Sequence, residues 1–187
     1  MKQSEQEKKF IQETKAVLKS KNEKNIYSKL QELRVTGNVS VLPFMLELLE
    51  TSNSQIITQE ILNIIKDLRD QKCVPVIVEY IEKNKDRNHI GDIISSCWQS
   101  RLDFHSYLEI FATCFLHGDY QVALEAFTVI EEMLWKSSEE QIMSCRKVLQ
   151  KNAGKVSELK QPLYKELIKV LEEGRSKNSE TYPDLYE

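Results

Sequence analysis

The sequence predicts an all-α protein built from about five antiparallel helix hairpins. Its 187 residues include only 5 Gly and 4 Pro, fewer turn-forming residues than a β-sheet protein of this size needs. Apolar residues recur with the i, i+4, i+7 spacing of one helix face. A pattern of two short apolar helices separated by a polar break also occurs three times between residues 41 and 133. Because one hairpin cannot bury its apolar face alone, this repetition predicts hairpins stacked around a continuous core.

The three copies keep the same phase along the chain. They read VLPFMLELLETSNSQIITQEILNII, CVPVIVEYIEKNKDRNHIGDIISSC and HSYLEIFATCFLHGDYQVALEAFTVIEEM. Matched positions lie 32 or 33 residues apart in the first helix and 33 apart in the second. They form the apolar stripe of each helix, which we expect to face the core. The matched sets are Leu42, Val74 and Tyr107; Leu46, Val78 and Phe111; Leu49, Ile81 and Cys114; Ile57, Ile90 and Ala123; Ile61, Ile94 and Phe127; and Ile64, Cys97 and Ile130.

Residues 1–174 are predicted to form a single helical-repeat domain. Residues 175–187 are predicted to be a flexible tail, because they show no periodicity. The end of this tail, Thr181–Glu187, is interpreted either as a frayed terminus or as a short docking motif. The domain is predicted to comprise a cap hairpin over 1–38, three in-phase repeats over 41–135 and a second cap hairpin over 139–174.

Local signals predict where the helices begin and end. Ser4 followed by Glu7 fits a capping box at the start of the first helix. Pro43 and Pro75 fall in the first turn of two repeats, where a missing N–H costs nothing. The other predicted boundaries are Gly37-Asn38 and Gly174 as helix stops and Asp103 as the N-cap of the third repeat.

The repeated hairpin resembles a known family. VLPFMLELL and CVPVIVEYI are similar to the Pro-containing first helix of a HEAT-type repeat. IITQEILNII, HIGDIISSC and QVALEAFTVI resemble the second helix of HEAT and armadillo-like α-solenoids. The period is shorter than the family's usual ~40 residues, and the Asp and Arg commonly found in its turn and second helix are not repeated. The resemblance implies a short right-handed superhelix whose second helices line a concave face that binds extended partners or helices.

Charge is unevenly distributed along the chain. Residues 35–140 carry 8 Lys/Arg and 17 Asp/Glu, whereas both ends are mildly basic. An acidic repeat array favours a basic protein partner. We therefore expect a non-enzymatic scaffold or adaptor, either a monomer or a subunit of a hetero-assembly, that needs no cofactor. The residues expected to border its binding face are Gln59, Asn63, Asp67, Asp92, Ser96 and Glu125.

The segment SCWQSRLDF supports a second interpretation. Trp98, Arg101 and Asp103 are similar to the Trp, Arg and Asp with which some HEAT-like DNA glycosylases hold a damaged base. In this interpretation the basic terminal hairpins would contact nucleic acid. Duplex binding needs a basic groove, whereas residues 35–140 are strongly acidic. Nucleic acid is therefore not the partner we expect.

No motif in the sequence indicates a reaction. Cys114 and His117 share a helix face, and Cys97 could approach them as a metal ligand, but Cys114 matches core positions of the other repeats. The histidines lie near helix starts or breaks, and no Gly-rich phosphate loop is present. Neither a catalytic residue nor a metal ligand is therefore predicted.

Cysteine usage and hydropathy indicate where the protein works. The four cysteines are widely spaced in apolar surroundings, which predicts buried free thiols in a reducing cytoplasm. No apolar run approaches the ~18 residues of a membrane span. The first residues, MKQSEQEKKFIQETK, lack the apolar core of a secretory signal. We expect a cytoplasmic protein that does not cross a membrane.

Overall fold

The computed structural model describes residues 4–36 and 39–173 of the chain. Within these ranges it contains α-helices and short 3-10 helices but no β-strand, which confirms the predicted all-α class. The predictions for Gly37-Asn38, for Gly174, for the tail over 175–187 and for its end Thr181–Glu187 lie outside the described residues. The α-helices are α1 Glu5–Leu18, α2 Glu23–Thr36, α3 Leu42–Thr51, α4 Gln55–Asp67, α5 Cys73–Lys83, α6 Ile90–Gln99, α7 Leu108–His117, α8 Tyr120–Met133, α9 Glu139–Lys151 and α10 Gln161–Glu173.

Several helix ends follow the sequence signals. The Ser4 side chain accepts a hydrogen bond from the Glu7 N–H at the start of α1, and Pro43 lies in the first turn of α3. A further cap, which was not predicted, is Asp119, whose side chain accepts a hydrogen bond from the Val122 N–H at 2.9 Å at the start of α8. The prediction for Asp103 needs correction. Its Oδ1 accepts from the His105 N–H and so begins a 3-10 turn over His105–Tyr107, three residues ahead of α7.

The chain divides into two compact units, Met1–Leu102 and Asp103–Glu187. In a repeat array each hairpin contacts only its neighbours, so compact subdivisions are expected even within one stack. The single domain over 1–174 therefore stays a prediction.

The first unit consists of three helix hairpins in two layers. The first helices of the hairpins pack in series, α1 on α3 and α3 on α5. The second helices also pack in series, α2 on α4 and α4 on α6, so α4 is the central helix of its layer. The apolar stripes of the two layers meet between them and form the core.

The second unit repeats this arrangement with two hairpins. Helices α7 and α9 pack together, as do α8 and α10, and each first helix contacts the second helix of its own hairpin. Gly118 forms the tight connection between α7 and α8. A Cβ atom at this position would lie 2.3 Å from the Val122 Cγ1, so a larger residue would force the chain apart.

The matched repeat positions form the core, as predicted. In all six sets the side chains are at most 9% exposed, with the single exception of Tyr107, which is partly exposed. All four cysteines are free thiols and buried, which is also as predicted. Among the helices that the structure describes, none combines the length and the apolar character of a membrane span.

Candidate functional site

A groove of the first unit lies at the central helix α4. Its volume is about 710 Å³, and it extends from α2 across α4 to the start of α6. We call it the α4 groove. The lining residues that matter below are Tyr27 on α2, Ile56, Gln59, Glu60 and Leu62 on α4, and His89 and Asp92 at α6.

Two large apolar side chains stand exposed in the α4 groove. Ile56 is 67% exposed and Tyr27 is 40% exposed. Ile56 directly precedes Ile57, which is buried, and successive helix residues point about 100° apart. The core stripe of α4 therefore turns away from the groove while Ile56 faces it. Exposed apolar groups grouped in a concavity are typical of a binding surface.

The wall of the groove holds a buried carboxylate. Glu60 is only 6% exposed, yet it lines the groove. Its Oε1, which is itself buried, has no hydrogen-bond donor at ordinary distances among the residues that the structure describes. The nearest cation is Arg34, whose guanidinium Nη1 lies 3.5 Å from this oxygen, beyond ordinary N–H···O distances.

Arg34 makes its short contacts with another carboxylate. Its Nε and Nη2 both reach the Asp67 Oδ2, at 2.7 and 2.6 Å. The hydrogen bond and charge of Asp67 raise the pKa of Arg34, and Glu60 adds to this effect through its charge and a weaker hydrogen bond. The guanidinium is therefore committed mainly to Asp67, and Glu60 keeps unused capacity to accept hydrogen bonds.

The structure brings part of the predicted binding face together. Gln59 and Asp92 both line the α4 groove, with the Asp92 Oδ2 3.3 Å from the His89 Nδ1. Asn63 lies one turn beyond Gln59 and accepts its side-chain hydrogen bond at 3.1 Å. Asp67 lies a further turn along the same face of α4 and is exposed.

Two predicted binding residues stand apart from this group. Ser96 is 0% exposed, and its hydroxyl donates to the Asp92 carbonyl of its own helix. A short side chain that bonds its own backbone can be buried where helices pack, so Ser96 does not border an exposed groove. Glu125 lies on α8 in the second unit, where it is partly exposed and accepts from the Gln121 side chain at 2.8 Å.

A second cavity of about 470 Å³ lies between α3 and α5. Several of its polar and charged groups have partners within the protein. The Tyr80 hydroxyl donates to Glu50, and Lys83 forms an ion pair with Glu79. Burial and the bond to Glu50 together raise the pKa of Tyr80 above its usual range.

A chain of side-chain contacts in the second unit was not predicted from the sequence. The Asp103 Oδ1 lies 2.7 Å from the His105 Nδ1, and the His105 Nε2 lies 3.0 Å from the Ser106 Oγ. Carboxylate, imidazole and hydroxyl thus follow the order used in nucleophilic catalysis. The Ser106 hydroxyl is exposed, and Glu109 lines the small cavity beside it. A carboxylate at this place would oppose the negative charge of an acyl-transfer intermediate.

The same contacts have a structural role at the start of the 3-10 turn. Asp103 also accepts from the His105 backbone, and its Oδ2 lies 3.5 Å from the Lys136 Nζ. Burial alone would raise the pKa of Asp103, but the bonds from His105 and the charge of Lys136 outweigh it and lower the pKa. His105 and Lys136 therefore hold Asp103 at the start of this turn.

The residues considered for glycosylase-like chemistry are placed as follows. Trp98 is 37% exposed at the end of α6, and the backbone carbonyl of the exposed Arg101 accepts from the Gln71 side chain. Asp103 is held by His105 and Lys136, as described above.

The metal-binding hypothesis for Cys114 and His117 finds no support in the geometry. Cys114 is 2% exposed, as its match to the core positions Leu49 and Ile81 implies, whereas His117 is exposed. The described residues contain no group of three or more His, Cys, Asp or Glu side chains that could hold a metal ion.

Comparison of the chain with protein-family models, with curated proteins and with solved structures finds no match.

Proposed function

We propose that this protein is a non-enzymatic interaction module, a scaffold or adaptor, that binds a basic protein partner in the α4 groove. The observation that carries the proposal is the combination of Tyr27 and Ile56 as exposed apolar anchors with acidic side chains in one concavity. Hot spots of protein interfaces have this composition, with aromatic and aliphatic anchors set among polar groups.

The proposal includes the architecture that presents the groove. The five hairpins form a HEAT-like α-solenoid, a short right-handed superhelix in which α2, α4 and α6 belong to the partner-binding layer. The packing of each second helix on the next supports this arrangement in the first unit. The partner then lies across α4 and contacts the helices on either side of it.

The charge of the groove indicates the character of the partner. Glu60 and Asp92 line it, Asp67 lies beside it, and the nearby cation Arg34 is occupied by Asp67. A segment with apolar side chains and Lys or Arg complements this surface. The four buried free thiols support a reducing, cytoplasmic setting for the interaction.

Site-specific photo-crosslinking in cells tests the proposal. A photoreactive amino acid replaces Gln59, which is exposed in the groove, and Gln12, an exposed glutamine on α1 that serves as the matched control. We expect one dominant protein adduct from position 59, absent from position 12 and lost when Ile56→Asp is added. The same adducts from both positions would refute the groove as the binding surface.

A further inference from the structure

We infer that Glu60 is the specificity-determining residue of the α4 groove and that it receives a lysine or arginine side chain of the bound segment. The inference rests on the proposed function and names one contact within it. It follows from the burial of Glu60, from the pairing of the neighbouring cation Arg34 with Asp67, and from the apolar groups around Glu60.

The carboxylate of Glu60 accepts fewer hydrogen bonds than it could. Glu60 is 94% removed from solvent, and its Oε1 lacks a hydrogen-bond donor at ordinary distances in the described part of the chain. A buried carboxylate is costly unless it is paired and hydrogen-bonded. The Arg34 Nη1 supplies charge at 3.5 Å but no short hydrogen bond, because the guanidinium is drawn to Asp67.

A partner group that completes the bonding of Glu60 must donate hydrogen bonds, and a positive charge makes such bonds stronger. An ionised carboxylate only accepts, so a carbonyl or a carboxylate of the partner would repel it. An ammonium or a guanidinium supplies several donors as well as the opposite charge, and such bonds are stronger than neutral ones. Asp92, which also lines the groove, adds to the preference for a cation.

The apolar walls of the groove can pack against the alkyl part of a lysine or arginine side chain. Lys and Arg carry long apolar stems that pack along apolar surface while the charged end reaches a polar partner. Tyr27, Ile56 and Leu62 provide that surface in the same concavity as Glu60. The segment we expect therefore places a Lys or Arg next to apolar residues that cover Ile56 and Tyr27.

Selection of random linear peptides on the 187-residue chain provides the probe. The peptides of interest bind the wild-type protein but do not bind the Ile56→Asp variant. We expect these peptides to be enriched in Lys or Arg beside apolar residues. One such peptide is then synthesised with its lysine, and again with norleucine, which removes the ammonium but keeps the alkyl chain. Both forms are titrated against wild type, Glu60→Gln and Glu79→Gln.

Glu60→Gln keeps the shape of the side chain and removes its charge. Glu79→Gln makes the same change in net charge at an exposed residue of α5 that does not line the groove. We expect norleucine to weaken binding by about tenfold or more on wild type and on Glu79→Gln. On Glu60→Gln we expect the two peptides to differ by no more than about twofold.

The two proposals fail in different ways. Peptides that bind Ile56→Asp as tightly as wild type would refute the α4 groove as the binding surface. Peptides that need Ile56 but show no enrichment in Lys or Arg would overturn only the role of Glu60. If norleucine weakened binding to Glu60→Gln as much as binding to wild type, the proposed role of Glu60 would also be overturned.

Discussion

Glu60 and Arg34 face each other at 3.5 Å, but Arg34 makes its two shortest contacts with Asp67 instead. The consequence is a carboxylate that is buried in the wall of the α4 groove and keeps unused capacity for hydrogen bonds. Glu60 is thus the most buried charged residue of the groove and also the one whose hydrogen bonding is least complete. This relationship connects the packing of α2 on α4 to the partner that the groove is proposed to bind.

Two isoleucines of α4 should respond very differently to truncation. Ile61 is 0% exposed, and Ile61→Ala should lower the free energy of unfolding by about 2–4 kcal/mol through lost burial and a residual cavity. Ile56 is 67% exposed, so Ile56→Ala should stay within about 0.5 kcal/mol of wild type. Urea unfolding followed by circular dichroism measures both. Similar losses at the two positions would mean that the core face of α4 is assigned wrongly.

Lys160 should be a structural residue of the second unit. It is 5% exposed, and its Nζ donates to the carbonyls of Phe115, Leu116 and Gly118 at 2.8–3.0 Å. These carbonyls close the end of α7, where helices leave such groups without partners. Burial lowers the pKa of Lys160, and the charge of Asp119 opposes that shift.

Replacing this lysine with methionine keeps the alkyl stem and removes the three donors. Lys160→Met should destabilise the protein by about 2 kcal/mol or more, because buried carbonyls lose bonds to a charged donor. The matched control is Lys165→Met on the exposed side of α10, which should change stability by less than about 0.5 kcal/mol. Thermal unfolding of the two variants decides the matter, and equal melting temperatures would contradict the proposed role of Lys160.

The buried thiols should be unreactive in the folded protein. Burial, with a smaller effect of Asp70, raises the pKa of Cys73 to about 11, and burial with Glu109 raises that of Cys145 to about 12. Since the thiolate is the reactive form, a thiol-specific reagent at pH 8 should label these residues only after denaturation. Rapid labelling of the native protein would show that one of these sites opens readily.

The same thiols predict how stability changes at high pH. The folded state keeps these protons more tightly than the unfolded state, whose thiols ionise near their ordinary pKa of 9.0. The contribution of Cys73 is therefore fully present below pH 9 and is lost as the pH rises through about 11. Cys73→Ala should flatten this part of the stability profile, and an unchanged slope would count against the assignment.

The contact chain of Asp103, His105 and Ser106 allows a test of the non-enzymatic proposal. We expect wild type and Ser106→Ala to hydrolyse an activated ester such as p-nitrophenyl acetate at the same slow rate. The reason is that Ser106 is exposed and that the carboxylate of Glu109 lines the adjoining cavity. An oxyanion is stabilised by hydrogen-bond donors, whereas a carboxylate opposes its charge. A burst of nitrophenol that Ser106→Ala abolishes would identify Ser106 as a nucleophile and refute the proposal.

The repeat spacing predicted the core because it depends only on local periodicity. Positions such as Ile61 and Ile94 lie on the same stripe in every copy, and all but Tyr107 of the matched residues are buried. The exposed position of Ile56 and Tyr27 could not be predicted in the same way. Both residues are ordinary core types, and only the packing of α2, α4 and α6 decides that they face the groove.

Contacts between distant parts of the chain could not be predicted from the sequence either. Arg34 and Asp67 come from different hairpins, and Lys160 reaches carbonyls more than 40 residues away. Arg34 and Asp67 lie 33 residues apart, which is the spacing of the repeats, but the sequence does not show that their side chains meet, because each such pair depends on how two helices pack. Ser96 was expected at the surface because its side chain is polar. It is buried, because its hydroxyl donates a hydrogen bond to the backbone of its own helix.

The most direct test of the central claim is the affinity of the partner captured by crosslinking at Gln59. Its dissociation constant is measured by calorimetry for wild type, for Ile56→Asp and for Met143→Asp, an exposed apolar residue of α9 that does not line the groove. We predict a loss of at least about tenfold for Ile56→Asp and no change for Met143→Asp, with native thermal stability in both. An unchanged dissociation constant for a folded Ile56→Asp variant would contradict the account.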